Sequence, residues 1–312
     1  MQTPIRALCM RTCFSYLNVI KYSANFLEYG LTGGDGVSVG NAITAGIIYA
    51  LTEMLALSGS GHLAVVNTLF DLHLTQLHLM LKAICEFAAM LSLILAYRRD
   101  LVSMIRDTAM LTGFGKQSAA KGGRYPEARL LFMLAIATVP LLAMVPFRKN
   151  YFTLWTSTTF VGIMFLLNGA VLFLAERMIP GKKGLGRMHI SDALIIGICQ
   201  AVAVIPGLSR LALTVTAGEA ENFQKNYAIR FGMLLAIPAL FGSSILSLAD
   251  AASAGIDPDS MPAYLAGGAA ALITGFFSIY IFRRLVRRRG YHGLAYYSLV
   301  IGVLTIILTL IF

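Results

Sequence analysis

The sequence has little charge. Only 13% of its 312 residues are Asp, Glu, Lys or Arg, whereas 57% are hydrophobic. Soluble domains usually carry about 25% charged residues, and a chain of this length has no core large enough to hide so much apolar surface. Several stretches reach about 20 residues with almost no charge, the length that crosses a ~30 Å hydrocarbon core. The composition excludes an ordinary soluble domain and predicts an all-α polytopic membrane protein.

Cysteine is also scarce, and its spacing is not that of a metal site. The four cysteines form no CxxC pair, which argues against a zinc site or a disulfide framework. The first 40 residues lack a clean apolar run followed by a small-residue cleavage site, so we predict no signal peptide. We interpret residues 1–40 as an N-terminal extension, for which an interfacial helix is favoured. Residues 41–312 are predicted to form a single membrane domain.

The positive charges mark the loops. The net charge is +10, but Lys and Arg lie in short segments between apolar stretches rather than on one soluble face, which disfavours nucleic acid as a partner. The apolar stretches predict six spans: 76–97, 130–147, 152–175, 228–249, 263–282 and 293–312. The loops 98–129, 176–189 and 283–292 are basic, whereas 250–262 has three aspartates and no Lys or Arg. The positive-inside rule places the basic loops in the cytoplasm and the acidic loop outside, with Arg148 and Lys149 as the local exception.

Two further apolar regions contain polar interruptions. Residues 190–219 lie between the cytoplasmic loop 176–189 and the span 228–249, which runs from inside to outside, so they must begin and end on the same face of the membrane. They are interrupted by Pro206-Gly207 beside Arg210. The same argument from the order of the spans applies, from the opposite face, to residues 42–70, which are interrupted from Ser58 to Gly61. Broken helices of this kind are tolerated where they are buried in protein or line a cavity. The pattern predicts two re-entrant helical hairpins that enter from opposite faces.

The two interrupted regions resemble each other. Gly46 recurs as Gly197 and Ser58 as Ser209, both 151 positions later. Each region is followed by three spans, an odd number that inverts the second copy. We therefore predict an inverted-topology repeat, with repeat one at about 41–176 and repeat two at about 190–312. In such repeats a binding site forms where the broken helices meet near the midplane.

The interruptions contain ionisable side chains, which are costly in an apolar segment and usually functional or paired. Arg210 offers a planar fork of donors that suits a phosphate group. His62 can transfer a proton near neutral pH or attack phosphorus directly. Glu53 could hold a divalent cation, act as a base or orient His62. Together these residue types predict a diphosphate site in a lipid setting.

Small polar residues beside each interruption can present backbone N–H groups to an anion. The residues predicted to bind substrate in this way are Ser58, Ser60, Gly61, Gly207, Ser209 and Thr214. A structural interpretation of these residues is the alternative: Arg210 could simply pair with Glu53, and His62 could be a structural histidine. Glu86 and Glu176 are interpreted as structural partners, and Asn168 as a link between helices.

At these residues the sequence resembles the undecaprenyl-diphosphate phosphatase family, which is linked to bacitracin resistance. The resemblance covers about residues 40–312. Ala203 to Arg210, followed by Thr214, is similar to the family's PGxSRSxxT motif, and Leu51 to His62 is similar to its ExxxE and PxSSxGH region. The segment from Phe231 to Pro238 is similar to the stretch that follows the first of these motifs.

The resemblance implies hydrolysis of undecaprenyl diphosphate to the monophosphate on the outer side of a bacterial plasma membrane, assisted by Mg²⁺ or Ca²⁺. It implies that Glu53 is the second motif acid and a metal ligand, and that His62 is the catalytic histidine. Arg210 joins them in the predicted catalytic set and, with Ser209, contacts phosphate. Thr214 supports that contact. The implied partners are an isoprenoid diphosphate lipid, the membrane and, as a candidate, a second copy of the chain.

The sequence departs from the family motifs at four positions. Tyr49 stands in place of the first motif Glu, Ala56 in place of Pro, Gly59 in place of the second Ser, and Leu211 in place of the Ser after Arg. These departures remove one carboxylate and two hydroxyls. They keep two alternatives open: a non-hydrolytic polyprenyl-phosphate transporter or lipid-carrier binding protein, and a partner or sensor subunit without turnover.

Overall fold

The computed structural model describes residues 38–69, 77–112, 125–147, 157–179, 181–254 and 258–311. The described residues form eleven α-helices and no β-strand. The helices are α1 (Val39–Met54), α2 (Gly59–Leu69), α3 (Leu77–Ala96), α4 (Arg98–Leu111), α5 (Pro126–Ala143), α6 (Thr158–Arg177), α7 (Ile190–Val202), α8 (Arg210–Ala220), α9 (Lys225–Ala254), α10 (Met261–Arg289) and α11 (His292–Ile311). Residues 1–37 of the predicted extension 1–40 lie outside the described residues, as do Arg148 and Lys149, whereas Val39 and Gly40 belong to α1.

Six helices are long and apolar enough to cross a membrane, which confirms the number of predicted spans and indicates a multi-pass membrane protein. They are α3, α5, α6, α9, α10 and α11. The predicted basic loop 283–292 is wrong in one respect, because α10 continues to Arg289 and ends at Gly290, whose φ is 69°. Hydropathy detects only the apolar part of a helix, whereas helical hydrogen bonds continue into the charged turns beyond it.

The two polar interruptions separate short helices. The first lies between α1 and α2, where Ala56 and Ser58 both have positive φ. The second lies between α7 and α8, where Gly207 has a φ of 93° and the Ser209 hydroxyl caps α8 by accepting the N–H of Ala212. A left-handed backbone conformation ends an α-helix, and a serine cap begins the next one. Both interruptions therefore have a local cause.

The helices pair in a pattern that involves both halves of the chain. The first spans of the two halves, α3 and α9, pack on each other, as do the third spans, α6 and α11. The interrupted regions exchange partners: α1 packs on α10, and α7 packs on α5. At these contacts a Cβ added to Gly46 would overlap the carbonyl oxygen of Gly267, and one added to Gly197 would overlap that of Ala137. Small residues allow such close helix packing in membranes.

A charged cluster joins three helices at the ends next to the basic loops. Arg230 of α9 lies 2.6 Å from the Asp100 carboxylate and 2.7 Å from the Glu127 carboxylate.

Glu176 was interpreted as a structural partner, and this is confirmed: it pairs with His292 at 3.3 Å and accepts the N–H of Tyr291. These contacts fix the helix ends on the side of the molecule opposite to the acidic loop.

Candidate functional site

An ion pair joins the two interrupted regions. Glu53, near the end of α1, accepts the Nε–H of Arg210 at 3.2 Å, and Nη2 of Arg210 lies 3.0 Å from the same oxygen, Oε1. The second carboxylate oxygen accepts the N–H of Gly59 at 3.0 Å. Both side chains are largely buried, at 8% and 14% exposure. Each charge is thus compensated, and the guanidinium retains further N–H groups, of its five, for an anion.

Ser58 connects the interruptions through its hydroxyl. Its Oγ accepts the N–H of Gly207 at 3.2 Å and that of Gly61 at 3.3 Å. The two glycines lie against each other, so that a Cβ added to Gly61 would lie 2.8 Å from the backbone of Gly207. Side chains at either position would separate the two segments. The predicted meeting of the two polar motifs is therefore present in the structure.

Asn168, on α6, joins the same segments from the other side. Its amide nitrogen donates to the carbonyl of Ala56 at 3.1 Å and to the hydroxyl of Ser298 at 3.0 Å. Its amide oxygen accepts the N–H of Ser209 at 3.0 Å. The interpretation of Asn168 as a link between helices is confirmed, and the link includes both interruptions.

His62 is held by two hydrogen bonds. Its Nδ1 lies 2.8 Å from the carbonyl oxygen of Ser58, and its Nε2 lies 2.9 Å from the hydroxyl of Tyr297. A carbonyl can only accept, so Nδ1 carries the proton and the lone pair of Nε2 accepts from Tyr297. The ring of Phe165 packs edge-on at 4.8 Å. No sequence motif pointed to Tyr297, which follows His62 by 235 positions.

A cavity of about 360 Å³ lies among α3, α5 and α9, and residues in or beside both interruptions contribute to its lining. Of the nine predicted site residues, Glu53, Ser60 and Arg210 line this cavity. The structure does not bring His62 to its wall. Glu86, which was interpreted as structural, does line it, together with Lys82, for which no role was predicted from the sequence.

The other predicted residues hold the scaffold. Ser58, Gly61, Gly207 and Ser209 use the hydrogen-bonding groups described above to connect or cap segments. Thr214 donates its hydroxyl to the carbonyl of Arg210 at 2.8 Å, inside its own helix. In this structure the backbone N–H groups of Gly61, Gly207 and Ser209 are therefore satisfied by protein side chains.

The structure gives physical reasons for two of the four motif departures. Ala56 has a φ of 62°, which proline cannot adopt because its ring fixes φ near −65°. A Cβ at Gly59 would lie 2.6 Å from the carbonyl oxygen of Tyr49 and 3.0 Å from its ring, so a serine has no room there. Tyr49 is fully buried, and within the described residues its hydroxyl has no hydrogen-bond partner. Nothing in the structure explains Leu211.

The carboxylates present allow only a limited metal site. Within the described residues there is no group of three or more His, Cys, Asp or Glu side chains that could hold a metal ion. Mg²⁺, however, is commonly bound by one or two carboxylates together with substrate phosphates. Glu53 can be one such ligand, because its Oε2 has a second lone pair beside the hydrogen bond from Gly59. The residues fit a cation that is held jointly with a bound diphosphate.

We expect Asn168→Ala to lower the free energy of unfolding by about 2–4 kcal/mol, because it leaves the Ala56 carbonyl and the Ser209 N–H buried without a partner. The detergent-solubilised variant, compared with the unmodified protein by thermal unfolding, gives the measurement. Asn226→Ala, at an exposed position at the start of α9 where the amide oxygen accepts a solvent-exposed hydrogen bond from Arg287, is the matched control and should change stability little. Equal stability of both variants would contradict the bridging role.

The fold and the site define a class: a multi-pass helical membrane protein with an acid–arginine pair where two interrupted helices meet. The family profile described as Bacitracin resistance protein BacA matches residues 42–304. The chain therefore belongs to this family.

Relatives with a shared name support this membership. An undecaprenyl-diphosphatase of Methanosphaera stadtmanae is 30% identical over 276 residues, covering 87% of this chain and 98% of the relative. An undecaprenyl-diphosphatase of Alkaliphilus metalliredigens is 29% identical over 276 residues, covering 86% and 98%. One of Geobacter sulfurreducens is 30% identical over 266 residues, covering 84% and 95%. The chain is thus similar to these proteins along almost their whole length.

Proposed function

We propose that this protein hydrolyses undecaprenyl diphosphate to undecaprenyl phosphate and inorganic phosphate, which recycles the lipid carrier of cell-wall synthesis. The observation that carries the proposal is the Glu53–Arg210 pair in the lining of a cavity that also has many apolar side chains in its wall, among them Leu141, Leu142 and Leu246. Such a cavity suits a ligand with a charged head and a hydrocarbon tail. Family membership and the names of the relatives agree with this substrate.

In the proposed reaction a water oxygen attacks the terminal phosphorus, and the anhydride P–O bond breaks. The electron pair of that bond leaves with the lipid monophosphate. Arg210 offsets the charge that develops on the phosphoryl oxygens, and the Ser60 hydroxyl donates a hydrogen bond to them. A Mg²⁺ or Ca²⁺ ion held by Glu53 and the diphosphate would offset further negative charge.

His62 is proposed to move the proton of the attacking water. Its Nε2 has the available lone pair, because Nδ1–H is committed to the Ser58 carbonyl. The Tyr297 hydroxyl now occupies that lone pair, so water reaches Nε2 when the hydroxyl turns away. Ser58 connects this imidazole to Gly207 in the other interrupted region, and through it to the arginine side of the site.

We further propose that the two interrupted regions are re-entrant hairpins of an inverted-topology repeat. In support, α1 and α7 begin 151 positions apart, as do α2 and α8. The exchange of packing partners, α1 with α10 and α7 with α5, is what a two-fold axis between the repeats produces. The axis would pass near the α3–α9 contact.

The proposed location is a bacterial plasma membrane, with the active site open to the outer face. The cavity wall includes Asp250, in the last turns of α9 where the predicted acidic stretch 250–262 begins, and Leu79, near the start of α3. Both helix ends are outside in the positive-inside assignment. Association of two copies stays a prediction.

Phosphate release from purified protein tests the proposed function. With undecaprenyl or farnesyl diphosphate and Mg²⁺ or Ca²⁺ we expect inorganic phosphate to appear, and a chelator to stop it. Farnesyl monophosphate is the matched control and should release none, because it has no anhydride bond. Absence of release under conditions in which a relative from Geobacter sulfurreducens is active would exclude hydrolysis.

One observation favours a second candidate function, a non-hydrolytic polyprenyl-phosphate transporter. The cavity contains the anion-binding pair but not the His62 imidazole. Proteoliposomes loaded with labelled undecaprenyl phosphate distinguish the two functions. Transfer between leaflets without phosphate release supports transport, whereas release that depends on His62 supports hydrolysis.

A further inference from the structure

A second polar cluster lies in the same cavity, outside both interrupted regions. Lys82 and Glu86 lie one turn apart on α3, with the ammonium nitrogen 3.5 Å from the carboxylate. Ser243 and Ser247 of α9 donate to the two oxygens of Glu86, at 2.6 Å and 3.0 Å. The Lys82 ammonium also donates to the Ser247 hydroxyl at 3.1 Å. All four residues line the cavity.

Burial makes this cluster costly. Glu86 is 2% exposed and Lys82 20% exposed, both within a predicted and observed span. Charged side chains inside spans are expensive and commonly mark a substrate or ion pathway. The residues lie on the cavity-facing stripes of their helices, at 82 and 86 on α3 and at 243 and 247 on α9. The cluster therefore belongs to the cavity wall and not to the lipid-facing surface.

The cluster lies partway along the α9 wall of the cavity. The α9 wall runs from Pro238 to Asp250, a length of about 18 Å at 1.5 Å per residue. Ser243 and Ser247 lie between Pro238 and Asp250 along this wall. Because the Lys82 ammonium donates to Ser247, a phosphate group that moved along this wall would meet the ammonium.

We propose that Lys82, with the hydroxyls of Ser243 and Ser247, forms a second phosphate-binding position in the cavity, and that Glu86 competes with phosphate for these donors. The inference rests on the proposed function for its ligand, a phosphoryl group. That group is either the terminal phosphate of the lipid diphosphate or the inorganic phosphate released from it. Without phosphate, Glu86 accepts the donors; when phosphate is bound, the ammonium and the two hydroxyls turn to it.

Competition by Glu86 makes this position weak and readily exchanged. Lys82 supplies three N–H donors and each serine one O–H, enough to surround part of a phosphate. Glu86 supplies a negative charge that repels the same phosphate. A position of this kind suits passage of the group to or from Arg210 better than permanent retention.

Opposite effects of two substitutions test the proposal. We expect Lys82→Met to weaken binding of radiolabelled orthophosphate to the purified full-length protein about tenfold, because a charged hydrogen-bond donor is lost. We expect Glu86→Gln to strengthen it severalfold, because the competing charge is removed. An ion pair that only stabilises the fold would not give changes of opposite sign. Equal affinities in all three proteins, or changes of the same sign, would overturn the proposal.

Further variants keep the test decisive. Lys82→Gln also removes the charge but keeps a polar group beside Glu86 and Ser247, so it replaces Lys82→Met if the latter does not fold, with the same expected loss of affinity. Lys183→Met removes a lysine from another ion pair, with Asp192 at 3.1 Å, outside the cavity wall. It is the matched control and should leave phosphate affinity unchanged.

A lipid methylene-diphosphonate, which resists hydrolysis, identifies the source of the phosphate. Weaker binding of both orthophosphate and this analogue to Lys82→Met indicates that the terminal phosphate of the substrate occupies the position. Weaker binding of orthophosphate alone indicates the released product. Because these are binding measurements, failure of the hydrolysis assay and failure of this proposal are distinguishable.

Discussion

His62→Ala is expected to lower the turnover number for phosphate release by about 10²- to 10⁴-fold, the usual contribution of a general acid–base group. The Michaelis constant is expected to change little, because the imidazole does not line the cavity that would receive the diphosphate. Steady-state release of phosphate from farnesyl diphosphate measures both constants. The prediction separates proton transfer from substrate binding by position alone.

Tyr297→Phe is the matched control for this prediction. It removes the hydroxyl from Nε2 of His62 but retains the ring, whose centroid lies 5.7 Å from the imidazole in a stacked arrangement. We expect activity within about tenfold of the unmodified protein, since a single neutral hydrogen bond contributes about 1 kcal/mol. Full activity of His62→Ala would show that the histidine only supports the fold.

Arg210→Met is expected to abolish detectable release and also to lower the free energy of unfolding by about 3–5 kcal/mol. The second effect follows because the substitution leaves the Glu53 carboxylate buried, with only the N–H of Gly59 as a partner. The double substitution Glu53→Gln, Arg210→Met removes both charges and should recover most of the stability. It should recover no activity, because the anion-binding guanidinium is still absent.

This prediction is tested by measuring unfolding in detergent and phosphate release on the single and double variants. The control is the cluster of Arg230 with Asp100 and Glu127, since these residues do not line the cavity. Arg230→Met should lower stability without a matching loss of phosphate affinity. Recovery of activity in the Glu53–Arg210 double variant would contradict a role for Arg210 in binding substrate.

Local properties of the sequence predicted much of the fold. Span number follows from apolar stretches of fixed length, because the bilayer thickness sets how many residues a helix needs. The interruptions were visible because Pro206, Gly207 and the Ser–Gly run from 58 to 61 are poor helix formers. Where helices continue into charged turns, as α10 does to Arg289, hydropathy placed the boundary too early.

The candidate site was only partly predictable. The Glu53–Arg210 pairing was one of the readings of the sequence, because two isolated charges in apolar segments need a partner. Tyr297 was not predictable, since a tyrosine in an apolar helix is compatible with many positions. The Lys82–Glu86 pair could have been predicted, because a Lys and a Glu four residues apart are unusual in a span with almost no other charge.

The sequence by itself determined that this is a polytopic helical membrane protein with two polar interruptions, and that these interruptions contain residue types suited to phosphate. It could do so because composition, the length of apolar stretches and helix-breaking residues depend only on neighbouring residues in the chain. Only the tertiary structure decided how those residues are divided. Glu53 and Arg210 line the cavity, whereas His62 faces Tyr297. The physical reason is that α3–α9 and α6–α11 packing joins residues more than a hundred positions apart, and side-chain direction at such contacts depends on both helices at once.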